Sequence, residues 1–205
     1  MKRTLGLTLL LFATLFSCMR QEKPLPAELS RAESVMWEHP DSALSILRSM
    51  PQSSLSSGKN YATWALLLAQ ARDKVYGKRL PDSLNIPSSD KLVQDAMDYF
   101  EKEGNLKRMA QTYYYKGQLL KDQKKITEAM PFFLKSKEMM TKLDEPLFTY
   151  LICQSLGNTY RYQDLYEESL VQLKDAYQYA LRSGNGERIS YALSELGRTC
   201  LLYTS

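Results

Sequence analysis

The stretch CQSLGNTYRYQDLYEESLVQLKDAYQYA, residues 153–180, decides the fold, because it has an earlier relative, YYYKGQLLKDQKKITEAMPFFLKSKEMM, residues 113–140. Superposing Gly117 on Gly157 brings the rest into register. Leu120 meets Tyr160, Ile126 meets Tyr166, Ala129 meets Ser169, Phe133 meets Leu173 and Ser136 meets Ala176. The offset from Gly117 to Gly157 recurs once more at Gly197. A fixed period of this size, about 40 residues, is the mark of a repeat architecture.

Each position has a physical task. Helices are expected over 107–122 and 147–163, followed by partners over 126–142 and 166–182. Gly117 and Gly157 let two helices approach closely, and Ala129 and Ser169 face the partner helix. Phe133 and Leu173, four residues on, fill the space above them on the same face. Tyr166, Leu170, Leu173, Ala176, Tyr177 and Ala180 form one apolar stripe at three- and four-residue spacings. The turns QKK and QDL are short, so paired helices are antiparallel. SGNGE, residues 183–187, resembles a phosphate-cradling loop only superficially. No strand precedes it and no Lys-Ser/Thr follows, so it is expected to be a helix C-cap and turn.

LGNTYRYQDLYEESLVQLKDA and KGQLLKDQKKITEAMPFFLKS resemble the tetratricopeptide repeat. Ser169 stands in place of the usual alanine, and Lys116 in place of leucine. The usual spacing is about 34 residues, and the wider spacing seen here matches the longer form of the family. The resemblance implies an all-α fold, a right-handed solenoid of antiparallel helix pairs. Units are expected over 106–145 and 146–185, with a further one beginning at 186–199. Residues 27–105 read as degenerate hairpins of the same kind. In LSRAESVMWEHPDSALSILRSM, residues 29–50, Asp41 is the expected N-cap, with Ala43 and Leu47 as packing residues. Helices over 61–77 and 90–105 form the next pair, and KRLPDSLNIPSSD between them is an insertion.

The N-terminus reads as an address. Lys2 and Arg3 precede an apolar run from Leu5 to Phe16, too short to span a bilayer with ease. Ser17 and Cys18 follow, and Leu15 stands three before the cysteine. This resembles a bacterial lipoprotein signal, with Phe16 departing from the pattern. The resemblance implies a signal peptide over 1–17, lipidation at Cys18, and a tether over 18–26. The expected location is the cell envelope, lipid-anchored and facing the periplasm; HPDSALSILRSM followed by LLLAQARDK resembles the front end of envelope tetratricopeptide proteins common in the Bacteroidota. Acyl chains supply about 0.8 kcal/mol per buried CH₂.

Composition narrows the function. The chain has 205 residues, 44% hydrophobic and 24% charged, enough to bury a core. Its net charge of +4 falls to +2 without Lys2 and Arg3, and no basic stripe stands out, so nucleic acid is not an expected partner. Cys18, Cys153, Cys200 and the single His39 fit neither a metal site nor a disulfide framework. No catalytic set, metal or small-molecule cofactor is expected. Glu167 and Glu168 sit at a helix start, where carboxylates suit the macrodipole. Tyr113, Tyr114 and Tyr115 point about 100° apart and cannot share a face. Tyr113 and Tyr115 are assigned to packing, and Tyr114 is left free.

By resemblance, the partner is a protein or peptide segment held on a concave face built by the first helix of each unit. Carried onto this sequence, the groove positions are Gln111, Tyr114, Gln118 and Lys121 in one unit. They are Gln154, Asn158, Arg161 and Tyr162 in the next, and Tyr191, Ser194 and Arg198 in the third. Amides and tyrosines suit an extended backbone, with Arg161 and Arg198 offered to an acidic group. The carboxylate-clamp form of the family needs a lysine where Tyr114 or Gln154 stands, which argues against capture of a chaperone tail. A second reading is the periplasmic sensor part of a transmembrane signalling or transcription regulator. A glycan-binding lipoprotein fits poorly, because Trp37 and Trp64 are both placed on apolar helical faces. The end of the chain, CLLYTS at 200–205, breaks the motif and resembles translated sequencing-adapter DNA. The native sequence is therefore expected to run on past Thr199.

Overall fold

The computed structural model describes residues 24–76 and 89–204. The signal segment, the lipidation position Cys18, most of the tether and most of the insertion lie outside the described residues. Within them the chain is all-helical and contains no strand. Helix α1 spans Ala27–Val35 and α2 spans Pro40–Ser49. A 3₁₀ turn, Gln52–Leu55, leads to α3, Gly58–Tyr76, and then α4, Ser89–Glu103. Next come α5, Leu106–Asp122, α6, Ile126–Lys142, and α7, Pro146–Arg161. Last are α8, Tyr166–Ser183, and α9, Gly186–Thr204.

Local chemistry sets these boundaries. Asn105 caps α5 by accepting from the Arg108 amide at 3.0 Å, and Asn185 does the same for Arg188 at 3.0 Å. The expected cap of α2 moves. His39 is the N-cap, and Pro40 occupies the first helical position, where its fixed φ suits a helix start. Asp41 sits in the first turn instead, facing the positive end of the helix dipole. Between helices the chain turns through left-handed residues: Gly104 (φ 75°), Lys124 (63°), Asp144 (53°), Asp164 (58°) and Gly184 (68°). These positions are evenly spaced along the chain, so every helix and turn between them has the same combined length. A side chain at positive φ is strained, and lysine has no local hydrogen bond to offset it. Lys124→Gly is therefore expected to raise the unfolding free energy by about 0.5–1 kcal/mol in urea melts. A fall in stability would show that the lysine is not strained there.

Each helix packs on the next, and α1, α3, α5 and α7 also touch one another in turn. Helices α5 and α6 are antiparallel, since Gly117 faces Phe133 while Ala110 faces Ser136. A Cβ at Gly117 would lie 2.7 Å from the Phe133 ring, and one at Gly157 would lie 2.6 Å from Leu173 Cγ. Phe133 and Leu173 are fully buried. Two hydroxyls close the same interfaces: Ser136 Oγ donates to the Ala110 carbonyl at 2.6 Å, and Ser169 Oγ to the Gly157 carbonyl at 2.7 Å. Helix α3 is enclosed on most sides, with Ala62 through Arg72 buried except at Trp64. That enclosure explains its unbroken apolar run and weak amphipathicity. One core cluster runs from Leu29 to Leu156, and a smaller one joins Tyr150, Cys153, Ala176, Ala180 and Ala192. On α9, Leu193, Leu201, Leu202 and Tyr203 are exposed, and nothing lies within 4 Å of a Cβ at Gly197.

Candidate functional site

The groove residues expected from the sequence lie on α5, α7 and α9 or, for Tyr162, just past α7, but they do not form one surface. Gln111 and Tyr114 are buried. Gln111 accepts from Arg108, which also holds Glu33 of α1 through two hydrogen bonds of 2.7 and 2.8 Å. Tyr114 is not free: its hydroxyl accepts from Gln118 Nε2 at 2.9 Å, and its ring stands edge-on to Phe148 at 5.2 Å. The three neighbouring tyrosines do point different ways, yet all are buried, because α4, α6 and α7 surround α5. Burial pushes the Tyr113 phenol up to about 12, with a 2.8 Å bond to Glu101 adding to the effect. Burial also holds the Tyr114 and Tyr115 phenols well above their ordinary value. Lys121 donates to Gln118 and approaches the Phe133 ring.

Arg161 is committed within the chain. It donates to Glu195 at 2.7 Å, to Asn158 at 2.9 Å and to Thr199 at 3.1 Å. Glu195 is only 3% exposed, and Arg198 approaches its other oxygen at 3.5 Å. The acidic group expected from a ligand is thus supplied by α9 itself. Register carried a signal for this. Glu195 holds the repeat position that Tyr115 and Ser155 hold in the two preceding units, both buried, so a charge there needs an internal partner.

What remains open is smaller. Gln154 and Tyr191 line a recess of about 280 Å³ between α7 and α9, with Tyr150, Leu151, Glu187 and Arg188. Tyr191 is 48% exposed, Tyr162 is 70% exposed, and Ser194 and Arg198 are also exposed. Tyr162 follows the end of α7.

The sequence did not foresee a cluster beside this recess. Trp37 lies in the turn after α1 rather than on a helical face. Lys74 Nζ, from the end of α3, stands 3.6 Å from the centre of its ring. Arg188 Cζ, from the first turn of α9, lies 5.9 Å from the same ring, and Phe148 meets it edge-on at 6.2 Å. Burial pulls the Lys74 ammonium down to about 8; Asp73 opposes this and Arg188 adds to it. Burial pushes the Asp73 carboxyl up, with Asp122 adding and Lys121 and Lys74 opposing. Trp64, by contrast, is structural: its indole N–H donates to the Leu47 carbonyl at 2.9 Å.

Chemically the face can hydrogen-bond, stack and attract negative charge. Burial pushes the Cys153 thiol up to about 12, which keeps it protonated at neutral pH. Among the described residues no His, Cys, Asp or Glu cluster has the makings of a metal site, and no helix is long and apolar enough to cross a membrane. No protein-family model matches the chain, and no curated protein matches it.

Proposed function

We propose that this chain is a helical scaffold of the tetratricopeptide kind, a right-handed solenoid with repeats of about 40 residues. It binds a protein or peptide segment on the face formed by its odd-numbered helices and performs no catalysis. Cys18 anchors it to the cell envelope, where it faces the periplasm. The observation that carries the binding reading is the α7–α9 recess. There Gln154 and Tyr191 present an amide and a phenol that make no side-chain hydrogen bond among the described residues, beside an arginine, the groups an extended backbone needs.

Linear peptides selected from a random display library test the reading. Tyr191→Asp and Gln154→Lys should each weaken the selected peptides by about tenfold or more. Val171→Asp, on the exposed side of α8, should leave them unchanged. Peptides that respond to Val171→Asp and ignore the recess variants would move the binding face elsewhere. Anchoring is tested separately by palmitate incorporation in bacterial cells, which Cys18→Ala should abolish; labelling that survives would refute lipidation.

A further inference from the structure

We propose that Lys74, Trp37 and Arg188 form a subsite for a carboxylate carried by the bound peptide segment. The inference rests on the binding face proposed above and specifies what one end of it recognises. Three features carry it. First, the two cations come from helices far apart in the chain and converge on one indole, 3.6 and 5.9 Å from its centre. Like charges repel, so this convergence has an electrostatic cost, which Asp73 offsets in part at Lys74 and a bound anion would offset further. Second, among the described residues neither side chain makes an ion pair or a hydrogen bond. Other inward arginines are committed: Arg108 holds Glu33 and Arg161 holds Glu195. Third, Arg188 also lines the recess with Gln154 and Tyr191, so it links that recess to the Trp37 ring and Lys74.

The chemistry selects a carboxylate. Arginine presents a planar fork that takes two carboxylate oxygens, while the lysine ammonium adds a compact charge. Asp73 and Glu187 stand next to the two cations in sequence and pair with neither of them. Their charge limits what the site tolerates, favouring a single negative charge over a phosphate dianion. Trp37 and Phe148 meet edge-on and give the site an apolar side, and a lower local dielectric strengthens charge contacts. The depressed Lys74 ammonium agrees with a cation that burial desolvates and that Asp73 offsets only in part.

Trp37 is itself the reporter. The chain has two tryptophans, so Trp64→Phe leaves Trp37 as the sole source of indole emission. In that background the probes are blocked triglutamate, blocked triglutamine, sodium acetate and sodium phosphate. Triglutamate should change the emission saturably and bind at least about tenfold more tightly than triglutamine. Lys74→Met and Arg188→Gln should each weaken triglutamate about tenfold and leave triglutamine unaffected. Lys74→Arg and Arg188→Lys keep the charge and should stay within about threefold of the parent, which separates lost charge from lost folding. Far-ultraviolet circular dichroism identifies any variant that does not fold. Equal binding of triglutamate and triglutamine would overturn the carboxylate subsite while leaving the peptide face intact. Acetate as tight as triglutamate would make the site one for a free anion, and phosphate tighter than acetate would overturn the preference for a single charge. No response to any probe would also overturn the proposal, whatever the display selection gives.

Discussion

Phe133→Ala should lower the unfolding free energy by about 3–5 kcal/mol, the range for truncating a fully buried phenylalanine. The ring is fully buried and lies against α5 over Gly117. The pair makes a sharper test than the single change. In the parent, Gly117→Ala places a methyl 2.7 Å from the ring, and overpacking of this kind costs about 1–3 kcal/mol. In the Phe133→Ala background the same methyl enters vacated space. Alanine's advantage in a helix, about 1 kcal/mol, is then expressed, and the sign reverses. Gly197→Ala is the control, since nothing lies within 4 Å of its Cβ; it should stabilise by up to about 1 kcal/mol. Urea melts of these variants suffice. If Gly117→Ala has the same effect in both backgrounds, the glycine is not there to admit the ring.

Arg161→Met should cost about 3 kcal/mol, the second large effect. It strands Glu195, which is 3% exposed, and removing one partner of a buried pair is far more damaging than removing both. The loss falls at the low end of the range for such pairs because Arg198 remains 3.5 Å from the carboxylate. The double variant Arg161→Met, Glu195→Leu should recover to within about 1 kcal/mol of the parent. A double variant no better than Arg161→Met alone would place the loss in the packing of the arginine stem. Because the pair joins α7 to α9, the single variant should loosen α9 before the rest of the protein melts, visible as faster amide exchange there.

The helices were legible because they follow local rules. The expected spans 107–122, 126–142, 147–163 and 166–182 agree with the observed α5 to α8 to within two residues at each end. The close approach of Gly117 to Phe133 and of Gly157 to Leu173 was legible for the same reason, since both halves of each contact lie within one hairpin. The misreadings of Tyr114 and Arg161 concern which side of a helix meets what. Tyr114 reads as free in the sequence because periodicity separates three faces of α5 but cannot say that neighbours cover all three. Arg161 reads as a ligand contact because its partner is 34 residues away on another helix. The Trp37 cluster was invisible: nothing local relates residues 37, 74 and 188, and only the path of the whole helical stack brings them together.

The packing of each helix on its immediate successor has a kinetic consequence. Most partners are separated by a short turn, so closing each contact requires little loop entropy, and the chain should fold rapidly for its length. Folding can start at any hairpin and spread in both directions, and pulling on the ends should peel helices off in order rather than break the core at once. The Arg108–Glu33 pair between α5 and α1 works against this order over a shorter span, and the Trp37 cluster does so most strongly. It ties the turn after α1 to the start of α9, so it forms last and acts as a clasp on the finished stack. An acidic segment bound there would stiffen the whole array rather than one end of it.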